Sequence, residues 1–513
     1  MLDTDVIIVG FGPTGKVLAA RLLEAGHRVA IVERWPQAYP LPRAIGYDHE
    51  ARRIFYALGV GPDIDAISAP MGVYTWYNAD WKVMIALDQM QESISGGAVG
   101  YSFDQPGVER ILERRLEGQR ELQRFTSHEA VAVRDLDGHV EVDIAPCDPD
   151  TGKVWDTERK TLCGRYVIGC DGANSIVRSA MGVPRDDLGF DEPWLVVDVA
   201  PKPGVTLDIP YSAQWCNPVR PTTIVPSGAV NRRWEFMLLP GETEDGISTS
   251  ERVWELLSPW ITPDQGSLIR RATYRFRSML ARGWRRGRML IAGDAAHLMP
   301  PFMGQGLCGG VRDAWNLAWK LDLVLRGLAD QALLDQYERE RSPHIEAVIR
   351  ISMELGRVIC VSDPEAAARR DAAFFSGDLP PPPQFPPLCS GVIARTAEGK
   401  PQLAGGELMP HDVLEKGGER RRLDDLAAGG FVLVSTRPLD DPRLDLLGIV
   451  PVVLGADGWR DVDGRLTAWL ERNRAIAYLQ RPDFYGFGAI SRAEDFSGLL
   501  DELEQALIVA RSA

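Results

Sequence analysis

Two short stretches set residue types where chemistry needs them. The first is Gly10-Phe-Gly12-Pro-Thr-Gly15. At this spacing Gly10 allows a tight turn, Gly12 lets a pyrophosphate approach the backbone, and Gly15 lets a helix pack on the preceding strand. A helix opening there turns its positive end toward the phosphates. Glu33 closes the next apolar run, where a carboxylate can accept from ribose hydroxyls. A carboxylate at that point disfavours a 2′-phosphate, which leaves NAD or FAD. The second stretch is Ile291–Pro301, IAGDAAHLMPP. An apolar run ends on Asp294, and open α/β sheets hold ligands at the carboxyl ends of their strands. Gly304, Gly306, Gly309 and Gly310 follow, and they keep side chains away from whatever lies over them. The field of a helix starting there suits a flat, partly anionic ring such as a reduced flavin, with Asp294 accepting from ribityl hydroxyls.

A third motif, Cys170-Asp-Gly-Ala-Asn-Ser-Ile-Val-Arg178, reads as a strand, a turn at Asp171-Gly172 and a capped helix. Gly486-Phe-Gly488 imitates the first fingerprint but has Ser491 where the third glycine belongs, so it reads as a turn. One fingerprint implies one stably held dinucleotide.

The elements that must position these residues follow from periodicity. Asp5–Gly10, Thr14–Ala25 and Arg28–Val32 form a strand–helix–strand unit, which demands a parallel sheet with a right-handed crossover. Tyr166–Gly169 and Met289–Gly293 read as further buried parallel strands. Trp194–Ala200, Tyr211–Cys216, Thr222–Pro226 and Arg233–Leu239 are strand-like, rich in Trp, Tyr, Val and Thr, and predict an inserted antiparallel sheet. Gly310–Arg326 reads as a long helix. Gly377–Leu388 (GDLPPPPQFPPL) predicts a stiff linker, and Phe431–Ser435 and Ile449–Leu454 predict strands of a separate α/β unit.

The chain has 513 residues, too many for one ordinary core, and 45% hydrophobic with 25% charged residues is a globular balance. A net charge of -15 argues against a nucleic-acid binder. No run of about eighteen apolar residues predicts a membrane span. The seven cysteines form no CxxC pair, and no His cluster has metal-ligand spacing, so no metal is expected. With a strand-like start at Asp5–Val9, these features give the expectation of a cytoplasmic protein with reduced thiols.

The three motifs, in this order, resemble the class A flavoprotein aromatic hydroxylases. Smaller pieces resemble the 3-(3-hydroxyphenyl)propionate hydroxylase branch: Pro42-Arg-Ala-Ile-Gly46 with Asp48 and Glu50, Cys216-Asn-Pro-Val-Arg-Pro221, Arg232-Arg-Trp-Glu-Phe-Met237 with Pro240-Gly-Glu-Thr-Glu244, Ala332-Leu-Leu-Asp-Gln-Tyr337 with Glu340-Arg341, and Arg481-Pro-Asp483. The resemblance implies an α/β fold. A Rossmann-like FAD-binding domain would take 1–185 and 281–375, with an inserted, mainly antiparallel substrate domain at 186–280 joined by part of 70–105. A Pro-rich linker would take 376–390 and a thioredoxin-like domain 391–513. No cysteine follows Cys389, so that last domain has no dithiol chemistry, which leaves a structural or homodimer-contact role. Cys308 stands where many relatives carry Asn.

The resemblance also implies bound FAD. It assigns Gly10, Gly12, Gly15, Glu33, Arg43, Gln105 and Asp294 as contacts, backbone of Gly306 and Leu307 beside the ring, and Asp171 to both FAD and NAD(P)H. NADH or NADPH would act as transient reductant. Dioxygen would form a flavin C4a-hydroperoxide that attacks a phenolic carbon, and water must be kept out. Pro300 and Pro301 would stand beside the flavin with few donors to recruit water. Trp215, Arg220, Thr223, Phe236 and Pro301 are the expected substrate contacts, with Arg220 pairing a substrate carboxylate. His297 is expected in a structural hydrogen bond, and no catalytic base is assigned. The rival readings are a hydroxylase of polyketide or antibiotic aromatics and a flavin reductase that inserts no oxygen.

Overall fold

The computed structural model describes residues 2–38, 43–155, 158–228, 230–377 and 383–507. Pro42 of the quoted motif, 378–382 of the expected linker and 508–513 of the expected last domain lie outside the described residues.

The first sheet is built on Thr4–Val9, whose Val6, Ile7 and Ile8 are fully buried, as a strand covered on both faces must be. It pairs in parallel with Lys160–Gly169 on one side and Val29–Glu33 on the other. Met289–Ile291 and Leu122–Thr126 extend the parallel order outward. His139–Pro146 and His128–Leu136 branch off it as an antiparallel ladder. Helix Pro13–Glu24 follows the first strand, and helix Gly306–Leu325 starts earlier than its sequence pattern implied. The two helices approach so closely that a Cβ on Gly310 would meet Thr14 Oγ1 at 2.3 Å. Both N-termini therefore converge on one place, above the carboxyl ends of the parallel strands.

The second sheet has eight strands. Its centre is Arg185–Pro201, Asn231–Met237 and Thr222–Ser227, mutually antiparallel. Arg185–Pro201 also pairs with the long strand Gly266–Ala281, and Ala213–Trp215 brings in Val73–Tyr77 and Val83–Asp88. One face packs on helix Ser250–Leu257 through Leu195, Val197, Ile224, Trp234 and Phe236. The other face looks toward the parallel sheet.

The third unit carries Ile449–Val453, Phe431–Ser435, Ala477–Gln480 and Gly486–Ile490, in that order across a four-stranded sheet. The first pair is parallel and the others antiparallel. Gly486-Phe-Gly488 is thus a buried strand, and the expected turn is corrected. A Cβ on Gly486 would lie 2.2 Å from the Ala404 carbonyl oxygen, so the glycine serves close packing of a loop against the strand. The linker is packed too: the Pro386 carbonyl oxygen lies 2.9 Å from His344 Nε2. No helix among the described residues is long and apolar enough to cross a membrane.

Candidate active site

A single cavity of about 1690 Å³ runs from the glycine turn to the inner face of the antiparallel sheet. At one end, Gly10 has φ +98°, and a Cβ there would strike the Cys170 carbonyl oxygen at 2.3 Å. Gly15 is equally constrained, by the Gly10 carbonyl oxygen at 2.3 Å. Gly12 differs: nothing lies within 4 Å of its Cβ position, so open space stands over the turn. Gly12 caps helix Pro13–Glu24 with no side-chain bond to the first-turn N–H groups. Those donors await an acceptor.

Glu33 holds this turn. Its two oxygens accept from the Phe11 N–H at 2.8 Å and the Trp35 N–H at 2.9 Å, each keeping a lone pair toward the cavity it lines. Lys16 takes no part in the cavity wall, because its buried ammonium donates to the Phe11 carbonyl at 2.7 Å and to Glu109 at 2.6 Å. Gln105 lines the cavity but spends its side chain on structure. It accepts from the Ala44 N–H at 2.7 Å and donates to Glu109 at 2.9 Å, which fixes the backbone beside Arg43. Arg43 lines the cavity as well, and its carbonyl accepts from Arg233 at 2.7 Å.

Asp294 stands at the far end of this cleft. Burial pushes its carboxyl up, against the opposing charges of His297 and Arg43. Its own surface is nonetheless exposed, since it faces the cavity. None of the described residues donates a hydrogen bond to it. Asp171 is similar. One oxygen accepts from the Ile176 N–H at 2.7 Å while the other is buried without a partner, and burial raises its pKa. The contrast is Asp313, one helical turn beyond the glycines. It receives the Gly293 N–H at 3.0 Å, His297 Nε2 at 2.6 Å and Arg341 Nε at 2.9 Å. Burial works against its charge, but His297 and Arg341 outweigh burial and hold it at about 2.

Residues 3–352 match the family described as FAD binding domain. The chain belongs to it. The chain is 34% identical to a probable NADH-specific resorcinol 4-hydroxylase of Rhodococcus jostii (strain RHA1), over 98% of this chain and 95% of that one. It is 30% identical to the 3-(3-hydroxy-phenyl)propionate/3-hydroxycinnamic acid hydroxylase of Shigella sonnei, over 99% and 96% of the two chains. In fold it is similar to the flavin-dependent monooxygenase PieE, solved with FAD and substrate, at a TM-score of 0.82 with 20% identity, covering 99% and 100% of the chains.

The residues present fit FAD, the cofactor of this family. The cleft offers an uncapped helix N-terminus over Gly12, a second one at Gly306, where a Cβ would meet nothing within 4 Å, and carboxylates of Glu33, Asp171 and Asp294 in its lining, Asp294 accepting no hydrogen bond from the described residues. Leu307 lines the same stretch. Pro301 and Phe302 lie opposite, in a short 3-10 turn entered from Pro300.

The substrate end requires corrections. Thr223 and Pro301 line the cavity, whereas Trp215, Arg220 and Phe236 do not. Side chains alternate across a strand, so a choice wrong by one residue lands on the opposite face. Phe236 is buried with Trp234 against the helical side, and Trp215 stacks on Trp81 with ring centroids 4.9 Å apart. Their neighbours on the cavity face are Glu235, Arg233, Val225, Ser212 and Tyr74. Arg220 is occupied elsewhere, by Glu242 at 2.7 and 2.8 Å and the Met237 carbonyl at 2.7 Å. His297 keeps a structural bond, to Asp313.

Sequence reasoning missed one cluster at the helix start. Arg312 donates to Glu50 at 2.5 Å, to Asp48 and to Gln305 Oε1 at 2.8 Å, and Tyr485 donates to Glu50 at 3.2 Å. This ties the third unit to the turn that carries Gly306. Asp48 and Glu50 belong to a motif whose likeness was visible, but nothing in their spacing names Arg312 as partner.

Proposed function

We propose that this flavoprotein aromatic hydroxylase acts on a monocyclic phenol, with NADH as reductant, in the cytoplasm. The observation that carries the reading is the single cavity in which the cofactor cleft opens onto the inner face of the antiparallel sheet. The relatives at 34% and 30% identity support a one-ring phenol and, for the first, NADH. The seven unpaired thiols agree with a reducing compartment.

Bound FAD supplies the redox chemistry, taking a hydride from the nicotinamide and activating dioxygen for insertion of one oxygen atom into the ring. The chain's residues do the rest. The first-turn N–H groups over Gly12 hold the pyrophosphate, and Glu33 and Asp294 accept from sugar and ribityl hydroxyls. The Gly306 helix start places positive field at the reacting end. Met299, Pro301 and Phe302 present apolar surface there and exclude water. The third unit reads as thioredoxin-like from its sheet order, acts structurally, and closes the cleft with Glu407, Leu408 and Tyr485.

The test is turnover of the FAD-loaded protein with NADH, a panel of phenols and isotopically labelled dioxygen. Label in the ring hydroxyl supports the reading. Phenol-independent NADH oxidation with no label in any product supports a reductase instead.

A further inference from the structure

Among the described residues, Glu235 is the one carboxylate on the inner face of the antiparallel sheet that lines the cavity. It lies directly across from Thr223 in the ladder. No described residue donates a hydrogen bond to it, and the guanidinium of Arg233 on its own strand stays 3.8 Å away. That guanidinium is committed to Asp198, on strand Arg185–Pro201, at 2.8 and 2.9 Å. Arg270, on strand Gly266–Ala281, also points to Asp198, at 3.9 Å. Burial pushes the Glu235 carboxyl up; Asp198 adds to the rise while Arg233 and Arg270 oppose it.

Three other polar side chains near this face are engaged. Tyr74, from strand Val73–Tyr77, donates to Gln214 Oε1 at 3.2 Å, and burial drives its phenol far above the usual value. Thr223 donates to the same oxygen at 2.7 Å. His297 is held by Asp313 at 2.6 Å.

We propose that Glu235 is the catalytic base for the phenolic proton. The inference rests on the phenol-hydroxylase reading above. The phenol O–H bond breaks, its electron pair stays on the ring oxygen, and the proton passes to a Glu235 carboxylate oxygen; no oxidant or reductant is consumed. The phenolate formed is the electron-rich ring that oxygen insertion requires.

The experiment compares FAD-loaded wild type with Glu235→Gln and Glu235→Asp, using flavin absorbance to confirm loading. The probes are resorcinol and 3-(3-hydroxyphenyl)propionate. We expect bound resorcinol to show the ultraviolet difference spectrum of a phenolate in wild type and of a neutral phenol in Glu235→Gln. We expect kcat to fall about 10²- to 10⁴-fold in Glu235→Gln, the range of general-base catalysis, with partial recovery in Glu235→Asp. A loaded Glu235→Gln enzyme that keeps its kcat and the phenolate spectrum overturns the proposal while leaving the hydroxylase reading intact. A wild-type protein that hydroxylates neither probe nor any other phenol overturns both.

Discussion

The cofactor cleft and the seam that docks the third unit both hold carboxylates, and they treat them in opposite ways. In the seam, Arg481 donates to Asp483 at 2.9 Å, to Glu340 at 2.7 Å and to the Val392 carbonyl at 2.8 Å. Asn316 bridges Glu340 and Asp483 at 2.7 Å each, and Lys320 reaches Glu340 at 2.8 Å. Every group there has its partners inside the protein. In the cleft, Asp294 and one oxygen of Asp171 accept no hydrogen bond from the described residues, and Glu235 has the Arg233 guanidinium at 3.8 Å without a hydrogen bond. Desolvation acts in both places. Where the fold supplies the compensation, the carboxylates are structural; where it withholds it, the compensation comes from a ligand.

The sharpest test of this contrast is acid. Glu340, Asp313 and Asp48 are each held at about 2, where cationic neighbours outweigh burial. Their folded values lie below the unfolded ones, so their contribution is complete above pH ~4.5 and is lost as pH falls toward ~2. Each shift corresponds to about 2–3 kcal/mol at most. Asp294, Asp171 and Glu235 are raised instead, so they favour the folded state at low pH and lose that contribution as pH rises through their folded values. Urea denaturation of the FAD-free protein between about pH 7 and 3 should show a net loss of several kcal/mol. A flat profile would remove the distinction between the two regions.

Single substitutions separate them further. Arg481→Met leaves buried Asp483 without its cation and Glu340 with Lys320 alone, and should cost about 3–5 kcal/mol of stability, read by chemical denaturation. Asp294→Asn should do the reverse to the FAD-free protein, leaving its stability equal or higher. It should weaken FAD binding by about 10- to 100-fold in a fluorescence titration, the worth of a hydrogen bond to a charged acceptor. Gly12→Ala tests the same division on the backbone. Its Cβ enters open space, so FAD-free stability should change by less than about 1 kcal/mol while FAD affinity falls.

The glycine turn, the strand ending on Asp294 and the alternation of strand and helix were legible because each is a local pattern with a local cause. A tight turn needs Gly10 at positive φ whatever surrounds it, and a doubly covered strand must be apolar throughout. The substrate face was not legible at residue level. Trp215 and Phe236 stand beside Gln214 and Glu235, and both faces of that sheet are buried, so hydropathy cannot tell which looks toward the cofactor. The long strand Gly266–Ala281, GSLIRRATYRFRSMLA, hid behind its arginines, whose partners such as Asp191 come from the distant strand Arg185–Pro201. The seam was equally hidden, since Arg481 and Glu340 lie 141 positions apart.

Arg220 gives the smallest effect and the cleanest check on the corrected face. Between two prolines it looked like an anchor for an anionic substrate, and its fork does grip a carboxylate, but that carboxylate is Glu242. Burial only partly offsets the gain to Glu242, whose pKa the Arg220 hydrogen bonds draw down to about 2. The pair is partly exposed, with side chains 13% and 22% accessible, so Arg220→Ala should cost about 1 kcal/mol or less in denaturation. KM for resorcinol and for 3-(3-hydroxyphenyl)propionate should stay within about twofold of wild type, since a factor of two is under 0.5 kcal/mol. A rise in KM confined to the propionate would mean that the substrate carboxylate reaches Arg220.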